Sequence, residues 1–199
     1  MLAAGRSPPF RWLTIASFLV YTALVFVNVH LVSYLIEQGH SASTAATVAG
    51  ALGVLSVLGR ITMTRIARRV RLARVAAVLV ACQVPAVLPL FTGTLAGLGA
   101  FVLLFGAGFG VLTLARASLV ADYAPTEMYA RWAGLQAAVV TLAQVLAPIG
   151  GSLLHGWRGY FAVFTAGAVL SGLAAACLVM ADRAARHASR RPSSPGTVP

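Results

Sequence analysis

The sequence predicts an all-α integral membrane protein of six spanning helices, and three observations predict it. Of the 199 residues, 59% are hydrophobic and only 10% are charged, whereas an average soluble domain carries about 25% charged residues. Such a chain cannot cover its own surface with polar groups, so its solvent is lipid. The apolar residues fall into runs near the roughly 20 residues that a helix needs to cross a bilayer. The charge is concentrated at the edges of those runs. The net charge is +11, and every one of the fifteen basic residues is arginine.

Six runs qualify, at about residues 12–36, 43–64, 72–91, 95–120, 132–154 and 159–180. The first exceeds the roughly 7–15-residue core of a cleavable signal peptide, so it is expected to remain as an anchor. Turn chemistry separates the runs. The breaks are Gln38-Gly39-His40-Ser41, the arginine cluster near 65–71, Thr92-Gly93-Thr94, the stretch 122–127 with Pro125, and His155-Gly156-Trp157-Arg158-Gly159. A barrel strand is about ten residues of strict alternation, and these runs are longer and do not alternate. Cys82 and Cys177 each lie inside an apolar run and read as small hydrophobes without a disulfide. Residues 1–10 read as a linker-like amino terminus, 11–182 as the membrane domain, and 183–199 as a disordered basic tail rich in Arg, Ser and Pro.

Orientation follows from arginine placement. With the amino terminus inside, Arg6, Arg11, the six from Arg60 to Arg74, Arg116, Arg131 and the four from Arg183 to Arg191 all lie in the cytoplasm. Only Arg158 lies outside, as the positive-inside rule demands. A soluble protein of this charge would suggest a nucleic-acid partner. Here the arginines mark topology, so no nucleic acid is expected. The expected location is the cell membrane, with both termini cytoplasmic.

Several stretches carry a family resemblance. Gly59-Arg60 runs into Arg65-Ile66-Ala67-Arg68-Arg69. This is similar to the signature loop of the major facilitator superfamily, approximately Gly-Arg followed by Asp-Arg, in the copy between the second and third helices of its C-terminal half. Arg68 stands in the Asp position, Arg69 in the Arg position, and Thr64 where a glycine is expected. The stretch from Asn28 to Leu35, followed by Gly39, resembles the first helix of that half in monocarboxylate-porter-like members. Gly106 to Gly110 with Arg116 to Tyr123 resembles its fourth helix. Ala147-Pro148-Ile149-Gly150-Gly151 with Gly159-Tyr160 and Phe164 resembles its fifth-to-sixth connection. The likeness spans about residues 8–180. It implies one six-helix half of a twelve-helix secondary carrier, itself a three-plus-three inverted repeat, moving a small solute, weakly an organic anion, by alternating access. It also implies a partner, either a second six-helix half or another copy of the chain.

Thr14, Ser17, Tyr21 and Asn28 recur at helical spacing on the first run. They serve either as interhelical glue or as the lining of a wet cavity, and Tyr21 and Asn28 lean towards the cavity. His30, Tyr34 and Glu37 share another face. His30 reads as a proton- or anion-sensing group at the external mouth or as a partly solvated interfacial histidine, with the second preferred. Gln136 and Gln144, with Thr141 and Pro148, place two amides on one face of the fifth run. Those amides either hold a polar substrate or contact one another. Tyr21, Asn28, His30, Gln136, Thr141 and Gln144 are thus the expected pathway residues, and the expected site is a groove lined by helices one, two, four and five. Gly106, Gly110, Thr113 and Ala117, and likewise Gly50, Gly53 and Ser56, read as close-packing faces. Gly59, Arg60, Arg69, Arg116, Asp122 and Arg131 fall where the family closes its inner gate, while membrane anchoring alone suffices for Arg65, Arg68, Arg69, Arg71 and Arg74. No run has a mid-depth carboxylate. No metal or cofactor is expected. Neither the His-Glu-x-x-His nor the Gly-x-Ser-Gly pattern of an enzyme is present. A non-transporting membrane fragment is the remaining alternative.

Overall fold

The computed structural model describes residues 7–66 and 70–189, with the side chains of 62–66 and 188–189 left aside. It is all-α, with no strand among the described residues. Helix α1 is Pro8–Glu37, α2 Ala42–Ile66, α3 Leu72–Ala81, α4 Gln83–Leu90, α5 Leu95–Tyr123 and α6 Tyr129–Ser189, with a 3-10 turn at Thr126–Met128 before α6. Five stretches are long and apolar enough to cross a membrane: Pro8–Glu37, Ala42–Ile61, Leu72–Leu90, Leu95–Tyr123 and Thr126–His187.

Local chemistry sets these boundaries. Proline opens α1 at its first positions, where a missing N–H costs nothing. The helix closes on Gly39 at φ 86°. The His40 amide there reaches back to Leu35 O and the Gly39 amide to Ile36 O, a Schellman stop that needs a left-handed residue. Ser41 Oγ accepts from the Thr44 amide at 3.1 Å and Thr94 Oγ1 from the Gly97 amide at 3.0 Å, capping α2 and α5. The third apolar run divides at Cys82 into α3 and α4. Pro85 and Pro89 lack the amides that would continue its ladder. Ala124 is extended ahead of Pro125, which ends α5.

Helix α6 is 61 residues long, with Arg158 and Gly159 outside helical geometry. Gly159 takes φ 70°, a left-handed conformation that glycine tolerates best. The chain reverses there. Ala147 and Val163 pack into one cluster around Phe26, although a straight helix would hold them about 24 Å apart. The first arm of α6 runs parallel to α1: Phe10 meets Trp132 at 4.4 Å between ring centroids, Gln136 bonds Thr14, and Phe26 lies 3.7 Å from the Cβ position of Gly150. The second arm runs back, with Tyr160 and Phe164 against Tyr34 and Gly167 against Ala23 and Val27. Helicity continues through Ser189, past the expected boundary at 182, so 183–189 are helical rather than an open tail. Residues 190–199 lie outside the described part.

Helices α2 and α5 form a second parallel pair. A Cβ on Gly110 would collide with the Ser56 carbonyl, one on Gly106 would lie 2.9 Å from Leu55 Cβ, and one on Gly59 would lie 3.0 Å from Ala107 O. Bare backbone is what lets these helices touch. The expected close-packing face of α5 is therefore present at Gly106 and Gly110, whereas Gly50 and Gly53 have open space around them. The facing positions on α2 are Leu55, Ser56 and Gly59, because the helix turns Gly50 and Gly53 to its exposed side.

Candidate functional site

The polar groups of α1 do not form one stripe. Thr14 Oγ1 donates to Phe10 O at 2.8 Å and accepts from Gln136 Nε2 at 3.0 Å, and Gln136 is 1% exposed. This pair is interhelical glue. Ser17 is buried and donates to Leu13 O. Tyr21 is buried as well, with the Arg116 guanidinium carbon 5.8 Å from its ring centroid, within cation–π reach. Asn28 is exposed and returns its amide to Leu24 O at 2.7 Å.

Gln136 and Gln144 do not present a common face. The first points into the bundle, while Gln144 and Thr141 are exposed, because eight residues overshoot two turns by about 80°. The contacts at Thr14 and Phe26 set the register between α1 and α6. Gln144 thereby falls level with Tyr21, and Asn28 lies about 10 Å further from the arginine-rich end. An open cleft of about 350 Å³ lies between α2 and α5, lined by residues such as Thr44, Thr47, Leu98 and Val102. Neither α1 nor α6 contributes to this cleft. A second, largely filled cleft lies among Ser17, Ala76, Arg116 and Leu178.

At the arginine-rich end, Arg60, Asp122, Glu127 and Arg131 are exposed and Arg116 is half-buried. None of them forms an ion pair with another described residue. Arg69, with Arg65 and Arg68, falls outside the described side chains. The paired carboxylate is Asp182, only 2% exposed. Arg71 Nε sits 2.9 Å from its Oδ1 without hydrogen-bond alignment, Arg74 Nε donates to its Oδ2 at 3.3 Å, and Arg186 Nη2 is 3.3 Å away. Arg71 and Arg74 are therefore more than membrane anchors, since they tie the start of α3 to the end of α6.

At the opposite end, His30 is buried at 8% exposure rather than partly solvated. Its ring lies 6.5 Å from that of His155 and 6.1 Å from that of Tyr160. Mid-bundle, Ser171 donates to Gln83 Oε1 at 3.0 Å, and Gln83 is fully buried. Sequence reading passed over Asp182, Gln83 and His155. The usable signal was rarity: Asp182 is one of four acids in the chain, and it follows an apolar run on the side that holds the arginines.

The sequence profile of the Major Facilitator Superfamily matches residues 2–148. The chain belongs to the major facilitator superfamily. No curated protein matches it. The superfamily consists of secondary transporters rather than enzymes, so this is a multi-pass membrane protein of the transporter class that works in a lipid bilayer. Within a superfamily carrier, polar groups at depth either hold helices together or meet water and solute. By their hydrogen bonds and burial, Thr14, Ser17, Gln136, Gln83 and Ser171 belong to the first kind. Asn28, Thr141 and Gln144 are exposed and lie on elements expected to line the path.

Proposed function

We propose that the chain is the C-terminal six-span half of a secondary carrier that moves a small organic anion by alternating access. In this reading the arginine-rich end is cytoplasmic. The observation that carries it is the reversal at Arg158 and Gly159. A 61-residue helix would reach about 92 Å, three times the roughly 30 Å hydrocarbon core. Counted as two crossings, α6 brings the total to six and returns both chain ends to one side. The two parallel pairs support a three-plus-three inverted repeat. An operation that exchanges spans one to three with spans four to six carries the pair one-and-five onto the pair four-and-two, and those are the two pairs that pack in parallel.

A six-span unit leaves Asn28, Thr141 and Gln144 facing outward, and lipid cannot satisfy them. A second six-helix unit, either a separate half or another copy, would cover them and complete the pathway. Tyr21, under the Arg116 guanidinium, sits at the inner side of that path, and His30 lies at its outer end. Gly59, Arg60, Arg69, Arg116, Asp122 and Arg131 form the inner gate. The organic-anion assignment rests on the monocarboxylate-porter likeness of α1 and on the cation held over Tyr21.

The test is uptake of a labelled monocarboxylate by liposomes holding the purified chain, with and without a co-expressed N-terminal half. Saturable uptake is expected only with a partner or a homodimer, and robust uptake by a demonstrated monomer would refute the half-carrier reading. In the active assembly, Asn28→Ala and Gln144→Ala should each lower uptake roughly two- to tenfold, the worth of one hydrogen bond of about 0.5–1.5 kcal/mol. Arg11→Ala, at an exposed anchor, should leave it unchanged.

A further inference from the structure

His30 on α1 and His155 on the first arm of α6 are brought together at the end of the bundle opposite the arginines. Their ring centroids are 6.5 Å apart and their planes differ by 17°. His30 Nε2 is buried and has no hydrogen-bond partner, and an unpaired buried nitrogen of this kind calls for an explanation. That nitrogen abuts Gly151, where a Cβ would collide with it. His155 stands one turn beyond Gly151 on the same face, and helical side chains lean back over the preceding turn. Both imidazoles therefore lie over the Gly151 turn, and its missing side chain is what lets the His30 ring come this close to α6. Tyr160 closes the cluster from the second arm, 4.1 Å from the His155 ring and 6.1 Å from that of His30.

We propose that His30 and His155 form a two-histidine site for a divalent transition-metal ion of the zinc and copper class. Neutral imidazole is a preferred ligand of these ions, and in the tautomer protonated at Nδ1 the unpartnered Nε2 of His30 offers them its lone pair. No third His, Cys, Asp or Glu joins the pair among the described residues, so water fills the remaining positions and the ion exchanges freely. His155 is half-buried beside exposed Gly156 and Trp157, which gives the ion a route in. A bound ion would clamp α1 to α6 beside the chain reversal.

Isothermal titration of Zn2+ into the purified full chain, carrying no polyhistidine tag, tests this. Saturable binding of one ion per chain is expected, together with a rise in unfolding temperature, because a ligand of the folded state stabilises it. Both should be lost in His155→Ala and in His30→Gln, and both should persist in His40→Ala and His187→Ala. Since His30 is buried, a poorly folded His30→Gln leaves the decision to His155→Ala, whose fold circular dichroism verifies. Absence of Zn2+ binding, or binding that survives His155→Ala, overturns the site. So does an unfolding temperature that responds to pH but not to Zn2+, because the pair would then bind protons instead of metal.

Discussion

Asp182 stands 2% exposed among three guanidinium groups, and the two sides of that contact are not equally costly to remove. Arg71 and Arg74 are about half exposed, so the loss of either leaves two partners and an arginine-free position that water can fill. We expect Arg71→Ala to cost less than about 1 kcal/mol, in line with solvated ion pairs. Asp182→Asn removes the one acceptor charge that three cations share, and it should cost about 1.5–3 kcal/mol, the range for hydrogen bonds to charged groups. Reversible unfolding in mixed micelles measures both, and equal losses would disprove the asymmetry. The sequence made these arginines visible only as edge charges. Their acid lies 108 residues away from Arg74, and no local periodicity reports such a distance. Thr14 and Gln136 were legible as polar groups on apolar runs, but not as partners, for the same reason.

At the level of elements, the α2–α5 seam depends on atoms that are absent. Gly110→Ala drives a methyl into the Ser56 carbonyl, where backbone must yield. Overpacking of this kind typically costs about 1–3 kcal/mol. Gly50→Ala and Gly53→Ala meet nothing and should be neutral or slightly favourable for the helix. Thermal unfolding of the three variants separates them, and a Gly110→Ala protein as stable as the parent would mean that the seam is loose. The glycine-rich stretch of α5 was readable from sequence because its glycines recur at four-residue spacing. On α2 the expected face holds at Ser56 but not at Gly50 and Gly53, which turn outward while contact follows Leu55, Ser56 and Gly59. Small size permits close approach and does not say where it occurs. The run boundaries, by contrast, were set by caps and prolines that act locally, and they emerged within a few residues except at the end of α6, which runs on to Ser189.

For the molecule as a whole, the decisive quantity is the number of crossings. In the six-span reading proposed above, which rests on arginine asymmetry and the break at Gly159, Gly39, Thr92 and Gly156 share one side of the membrane. Reporter fusions at the three positions should all read as external, and a cytoplasmic signal at any two would reject the six-span reading. The helix α6 is continuous in its hydrogen bonding across two apolar runs, because the reversal uses only Arg158 and Gly159 inside helical surroundings. The turn residues His155-Gly156 and Arg158-Gly159 gave that reversal away in the sequence. The groove expected from helices one, two, four and five was not legible in the same way. Which side of a helix stays open depends on helix rotation, and sequence spacing constrains rotation only to within a fraction of a turn.

The hydrogen bond from Gln136 to Thr14 joins residues 122 positions apart, and the whole parallel contact between α1 and the first arm of α6 shares that separation. During synthesis at about 5–20 residues per second, the first helix waits roughly 6–24 s for its main neighbour to emerge. Through that interval Thr14 and the face of α1 that α6 covers lie in lipid or against transient partners. Assembly of this bundle is therefore closed by its late-made segments, and a nascent chain stalled before residue 129 would hold its earliest helix without its main neighbour and open to quality-control proteolysis.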